Sequence, residues 1–223
     1  MKDIDKKIQE KVRNQLQWDD RINDIDVDID VDNGEVTFEG FIPSYYAKVL
    51  VAENAKKISG IKSINNNLKV RYLPVIKTDV PLDDELKKNI KIALELNVSI
   101  DASKINVSVN NGIVTLGGTV DAFWKKKIAG SVTSEFNGVI DIINKIAVVP
   151  TDHKDEKISE EIIATFERYR NVDVDDLDLE VEKGEVSISG NVDDWDAYDA
   201  VMDTLRYTRG VKTIKDNLVI ENM

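Results

Sequence analysis

The chain has 223 residues, with 30 Lys and Arg against 42 Asp and Glu for a formal charge of −12, one His and no Cys. Without Cys there is no disulfide framework, thiolate metal centre or Cys nucleophile, and one His excludes a His-rich metal cluster. At 42% hydrophobic and 32% charged the composition is that of a globular chain, and its acidity makes it a poor general binder of nucleic-acid backbone or anionic membrane.

The opening stretch, Met1 to Glu10, is charged from the start and has no apolar core of a secretory leader. That predicts a cytoplasmic chain as the sequence stands, and a periplasmic one where a leader has been removed. No run reaches the roughly 18 apolar residues of a membrane span. Ile4, Ile8, Val12 and Leu16 then form the stripe of a helix with one buried face. Ile25, Val27, Ile29 and Val31 alternate with Asp26, Asp28, Asp30 and Asp32, the pattern of a strand with one wet face. Asn33-Gly34 suits a two-residue hairpin turn into a second strand. A second helix starts near Ser44, with Leu50, Val51 and Ile58 inward, and Gly60 stands where a helix C-cap needs a left-handed residue. A last strand carries Ile64, Leu68 and Val70.

This α-β-β-α-β series occurs three times. Gly34-Glu-Val-Thr-Phe-Glu-Gly40, Gly112-Ile-Val-Thr-Leu-Gly-Gly118 and Gly184-Glu-Val-Ser-Ile-Ser-Gly190 are one motif. Gly60-Ile-Lys-Ser-Ile-Asn-Asn-Asn-Leu68, Gly138-Val-Ile-Asp-Ile-Ile-Asn-Lys-Ile146 and Gly210-Val-Lys-Thr-Ile-Lys-Asp-Asn-Leu218 are another, each beginning 26 residues after the first. A separation held three times means that packing fixes the length between the glycines. The leading helices recur as Leu82, Leu86, Ile90 and Leu94, and as Ile158, Ile162 and Phe166. The second helices recur from Ala122, with Ile128, Ala129 and Phe136, and from Asp194, with Ala200, Val201 and Thr208. Pro74, Pro81 and Pro150 mark joints, since proline suits element ends. The predicted domains are 1–73, 74–150 and 151–223: an α+β fold of three tandem units, each with two helices on a three-stranded mixed sheet.

The paired Gly-x-Val-x-Leu-x-Gly and Gly-Val-x-x-Val-x-Asn-x-Leu motifs resemble the BON domain family, with Asn66 and Asn144 at the motif asparagine and Asp216 in its place in the third unit. The resemblance covers nearly the whole chain. It implies an α/β sandwich unit without enzymatic activity or cofactor. It also implies association with phospholipid or envelope proteins, protection in osmotic stress and, in some members, chaperone-like or cation-linked roles. Members mostly carry a periplasmic leader, which this sequence lacks. An aromatic recurs eleven residues after the first glycine, as Tyr45, Phe123 and Trp195, with Tyr46 and Trp124 following in two units. This resembles a transport-associated subgroup of tandem members.

Catalytic patterns are missing from the sequence. His153 lies in a Pro-Thr-Asp-His stretch and reads as a solvated linker residue. No phosphate-binding glycine loop or zinc-binding helix signature occurs, and Gly117-Gly118 reads as a strand end with close backbone approach. The acidic strand faces, Asp26, Asp28 and Asp30 with Asp32, and Asp176, Asp178 and Glu180 with Glu182, are weak candidates for a hard cation. Carboxylates two apart on one strand lie about 7 Å apart, too far for a tight shell, and a solvated face kept soluble by like charge is the preferred reading. Asp28-x-Asp30-x-Asp32-Asn33-Gly34 mimics the start of an EF-hand loop, but Gly40 stands where the closing acid belongs.

Partner contact has its candidates in Tyr45, Tyr46, Phe123, Trp124 and Trp195, with Lys125, Lys126 and Lys127. Rings packed at the helix start compete with an exposed patch for a phospholipid or membrane surface or a protein, a second copy of this chain included. A basic Gly-x-x-Gly clamp for RNA is absent, so nucleic acid is not expected. A cytoplasmic cation-responsive, scaffold or chaperone-like protein is the alternative function. Ile143 and Val149, on the outward side of the second unit's last strand, are expected to be covered by a neighbouring unit or partner. By unit the charge is uneven: residues 1–73 carry 12 bases and 13 acids, 74–150 nine of each, and 151–223 nine bases and 20 acids. The objection to anionic surfaces falls on the third unit alone.

Overall fold

A computed structural model describes residues 3–22, 26–71, 82–150 and 153–221. Ile25, the Asp26 side chain and the Pro74–Pro81 joint lie outside the described residues. The first unit runs α1 (Asp3–Trp18), β1 (Asp26–Asp32), β2 (Glu35–Ile42), α2 (Tyr45–Lys56), β3 (Ser63–Asn66) and β4 (Lys69–Val70). The second runs α3 (Asp83–Leu96), β5 (Ile105–Asn110), β6 (Ile113–Val120), α4 (Phe123–Ser134), β7 (Asp141–Asn144) and β8 (Ala147–Val148). The third runs α5 (Asp155–Phe166), β9 (Leu177–Glu182), β10 (Glu185–Val192), α6 (Trp195–Tyr207) and β11 (Thr213–Ile220).

Each unit builds one mixed α+β layer pair. The hairpin strands pair antiparallel and the last strand returns parallel to the second, so β2, β6 and β10 are central. Each unit has its own apolar core. Val36 and Phe38, Val114 and Leu116, and Val186 and Ile188 supply the sheet side of these cores, alternating with outward residues as a pleated strand requires. Ile8, Val12 and Leu16, then Leu86, Ile90 and Leu94, then Ile158, Ile162 and Phe166 supply the helix side.

Ile4 and Leu82 depart from the expected stripe, being 69% and 79% exposed. Each i,i+4 step overshoots a turn, so the first member of a long stripe rotates away from the core. Leu82 also precedes α3 as its N-cap residue. An acid one residue later takes the inward role at the helix start. Asp5 accepts from Gly34 N at 3.3 Å, Asp83 from Asn111 N and Gly112 N at 2.6 and 3.0 Å, and Asp155 from Lys183 N and Gly184 N at 2.6 and 2.8 Å. The leading helix thereby ties down the hairpin turn in every unit. Those turns have two successive positive φ values, such as 51° and 84° at Asn33 and Gly34, the primed geometry that matches strand twist. Lys183 adopts it at 52° without being Asn or Gly.

The two glycines separated by 26 residues touch. A Cβ on Gly34 would lie 2.7 Å from the Gly60 carbonyl oxygen, on Gly112 2.6 Å from that of Gly138, and on Gly184 2.7 Å from that of Gly210. Lys62 N, Ile140 N and Lys212 N then donate to the carbonyls of Gly34, Gly112 and Gly184 at 2.8, 2.9 and 2.8 Å. An inserted residue between the glycines would break this backbone contact, which explains the invariant spacing. Gly60, Gly138 and Gly210 are left-handed as expected, but they are not helix caps. The helices end at Lys56, Ser134 and Tyr207, and the glycines turn the chain into the last strand. Gly40, Gly118 and Gly190 also have positive φ, inside the central strands.

Two expectations about exposure are corrected. Ile143 and Val149 are 41% and 60% exposed, because the units meet through their second helices and leave the outer sheet faces open. His153 is half-buried rather than solvated, its Cβ lying 2.8 Å from where a Gly210 Cβ would stand.

Candidate functional site

The second helices place the recurring aromatics at one structural position. Tyr45, Phe123 and Trp195 are the first residues of α2, α4 and α6. Ser44 Oγ accepts from Ala47 N at 3.1 Å and Asp194 Oδ1 from Ala197 N at 2.8 Å, satisfying helix-end amides, whereas Ala122 supplies no side-chain cap. All three rings are half-buried, and they face other units rather than open solvent alone.

Trp195 joins the third unit to the first. Its indole Nε1–H donates to the Ile61 carbonyl at 2.8 Å. Lys56 Nζ lies 5.1 Å from the Trp195 ring and 5.8 Å from the Tyr198 ring, and pairs with Asp199 at 3.1 Å. Tyr45 joins the first unit to the second by packing on the second core. Burial, and after it the Asp141 carboxylate, push its hydroxyl pKa up. Helices α4 and α6 bring the second and third units together. Each unit therefore contacts both others, mainly through its second helix.

A cleft of about 530 Å³ lies at this junction, with Tyr45 and Val49 from the first unit, Phe123, Trp124, Lys126 and Lys127 from the second, and Asp203, Arg206 and Tyr207 from the third. Lys125 is turned to its own unit: it pairs with Asp121 at 2.7 Å and sits 5.5 Å from the Trp124 ring. That hydrogen bond chiefly holds the Asp121 carboxyl below its ordinary range. Tyr46 packs on the first core instead. Of the eight aromatic and lysine candidates, five line the cleft, and Lys125, Tyr46 and Trp195 do not.

The acidic candidates do not converge. Asp28 and Asp30 are exposed on the outer face of the first sheet, and Asp178 and Glu180 on that of the third. Asp176 belongs to the short turn before β9. Among the described residues no three His, Asp or Glu side chains form a group that could hold a metal ion. Among them too, no helix is long and apolar enough to cross a membrane.

Of two recurrent polar devices, one escapes the sequence reading and the other shows there only as a motif position without its contact. One is the helix-start acid at Asp5, Asp83 and Asp155, whose repeat offsets match those of the glycines. The other is the motif asparagine. Asn66 Nδ2 donates to the Lys48 carbonyl at 2.7 Å and Asn144 Nδ2 to the Lys126 carbonyl at 2.8 Å, each stapling the last strand to the second helix. In the third unit Asp216 cannot donate, and Tyr198, at the position of Lys48 and Lys126, donates its hydroxyl to Asp216 Oδ2 instead.

Comparison with known proteins identifies the family of the repeated unit. The model of the BON domain matches residues 4–72, 82–150 and 154–222. Osmotically-inducible protein Y of Escherichia coli (strain K12) is 27% identical over 143 residues, covering 64% of this chain and 71% of that protein. Among solved structures, the C-terminal domain of CdsD, the structural protein of the type III secretion system of Chlamydia trachomatis, aligns over 99% of both chains at 15% identity, with a TM-score of 0.26. A second structure of CdsD aligns at 14% identity, also with a TM-score of 0.26, over 95% of this chain and 90% of that one. Superpositions this low carry no argument about how the units are arranged.

Proposed function

The chain belongs to the BON domain family, and from that premise we propose that it is a non-catalytic binding protein that associates with phospholipid surfaces in protection against osmotic or envelope stress. The observation that carries this reading is the start of α4. There Phe123 and Trp124 stand beside Lys126 and Lys127 at the edge of the junction cleft, and aromatic and cationic side chains together suit an anionic lipid interface. The charge distribution supports the same side of the molecule, since the first two units are near neutral and the third holds the acidic excess. The likeness to an osmotically inducible protein supports the physiological setting.

Co-sedimentation with vesicles tests the reading. The protein is expected to pellet with phosphatidylglycerol vesicles and not with phosphatidylcholine vesicles, and Trp124→Ala with Lys126→Glu and Lys127→Glu should abolish pelleting. Failure of the intact protein to pellet at low salt would sink the lipid reading.

A second reading has its own support in the exposed acids on the outer faces of the first and third sheets. It makes the chain a cation-responsive scaffold or chaperone-like protein, working in the cytoplasm or the periplasm. Ca²⁺ or K⁺ should then raise the melting temperature beyond a control of matched ionic strength, as linkage requires. Equal melting temperatures would remove it.

A further inference from the structure

We propose that the cleft at the three-unit junction is a binding site for one small organic anion with an apolar body. The proposal rests on the reading of the chain as a binding protein and names the ligand class of a site that no single unit contains.

The cleft volume, about 530 Å³, falls within the roughly 300–1,000 Å³ of small-molecule sites. Its walls carry four aromatic rings, those of Tyr45, Phe123, Trp124 and Tyr207, drawn from all three units. Three cations, Lys126, Lys127 and Arg206, share the lining with one carboxylate, Asp203. Arg206 Nη1 meets Asp203 at 2.9 Å, so that pair is largely self-neutralised. The ammonium groups of Lys126 and Lys127 make no hydrogen bond or ion pair with another described residue. Two ammonium groups without an ion-pair partner among the described residues thus stand in an aromatic cleft on a chain of net −12.

That juxtaposition selects charge and shape together. The rings take up an apolar body, and the ammonium groups take up an anionic head by charge-assisted hydrogen bonds. Burial first, and then Arg206 and Lys56, push the Lys127 pKa down against the opposing Glu53 and Asp203 carboxylates, and an anion beside it favours its charged form. Of the third unit's acids only Asp203 lines the cleft, and Arg206 pairs with it. At physiological salt the Debye length is about 8 Å, so a ligand seated in the cleft senses chiefly the charges that line it.

Calorimetric titration of the full chain tests this with decanoate and 1-naphthoate as anions and decyltrimethylammonium as the matched cation. Both anions should bind with one site per chain and compete with each other, and the cation should bind at least about tenfold more weakly. Lys126→Gln and Lys127→Gln should each weaken decanoate about tenfold, while Lys88→Gln, outside the cleft, should leave it unchanged. Melting temperatures check that the variants fold, and Lys127→Met replaces Lys127→Gln should that variant not fold. Equal affinity for anion and cation, or undiminished binding by the Lys126→Gln/Lys127→Gln double variant, would overturn the site. Vesicle pelleting without decanoate binding would overturn it while leaving the lipid-surface reading intact. Decanoate binding without vesicle pelleting would support the site and remove the surface reading.

Discussion

The indole of Trp195 donates its N–H to the carbonyl oxygen of Ile61 at 2.8 Å, and so fastens the third repeat to the first across 134 positions of sequence. The equivalent aromatic of the first repeat, Tyr45, packs on the second core, and that of the second, Phe123, shares the cleft with Arg206 and Tyr207 of the third. One residue position, used three times, thus turns a linear array into a closed triangle, and the cleft exists only because the triangle closes. Trp195→Phe keeps a ring but deletes the donor, and should cost about 0.5–1.5 kcal/mol. Trp195→Ala with Lys56→Ala should go further and enlarge the radius of gyration in small-angle scattering. An unchanged radius would mean that other contacts hold the triangle.

Adjacent glycines give the sharpest contrast in substitution cost. Gly118 has φ of +98°, and a Cβ there would lie 2.0 Å from the Lys104 carbonyl oxygen. Gly117 has no atom within 4 Å of its would-be Cβ and is not left-handed. Gly118→Ala should therefore lose at least about 2 kcal/mol through strain and clash. Gly117→Ala should stay within about 0.5 kcal/mol of the parent. Urea unfolding of the two variants decides, and equal midpoints would contradict the close approach.

The repeat made the fold legible, because packing and turn chemistry recur locally. The glycine spacing reported a backbone contact, the Asp–Val alternation reported a two-faced strand, and Ser44, Ala122 and Asp194 marked the second helices. What one unit does to another was not legible. Tyr45, Phe123 and Trp195 were visible as a recurrent aromatic, but a half-buried ring reads the same whether it meets lipid, its own sheet or a neighbouring unit. Ile143 and Val149 failed for the same reason: the sequence shows an apolar outer face, and only the docking geometry decides whether anything covers it. Arg206 and Asp203 enter the site purely through that geometry.

The exchange of Asn for Asp in the third repeat leads to an alkaline signature. Burial, together with the Asp216 carboxylate that accepts its hydrogen bond, pushes the Tyr198 pKa well above the ordinary tyrosine value. A folded-state pKa raised above the unfolded one contributes stability that is complete below about pH 10 and is lost as pH rises through the folded value. Near-ultraviolet absorbance should show one tyrosine ionising later than Tyr45 and the others, coincident with unfolding, and Tyr198→Phe should remove that latest component. A Tyr198→Phe titration identical to the parent's would refute the assignment. Asp216→Asn should advance the ionisation toward the ordinary range.

Acid acts on the first repeat through Asp19. This nearly buried carboxylate accepts from Arg21 Nε and Nη2 at 2.8 and 2.6 Å and from Asn54 Nδ2 at 2.7 Å. The Arg21 guanidinium, against an opposing effect of burial, and then Asn54 hold its carboxyl far below the usual carboxylate range. The corresponding positions in the other repeats are Asn97 and Tyr169, so this network belongs to one unit. A depressed folded pKa contributes stability that is present above the unfolded value, about 3.9, and is lost as pH falls through the folded value. Asp19→Asn should therefore destabilise the first unit at neutral pH and flatten the loss of stability below about pH 4. Asn54→Ala, which strips a donor from Asp19 and an acceptor from Gln15, should cost about 1–3 kcal/mol. Urea midpoints at neutral and acid pH measure both, and an acid slope equal to the parent's in Asp19→Asn would show that other carboxylates govern it.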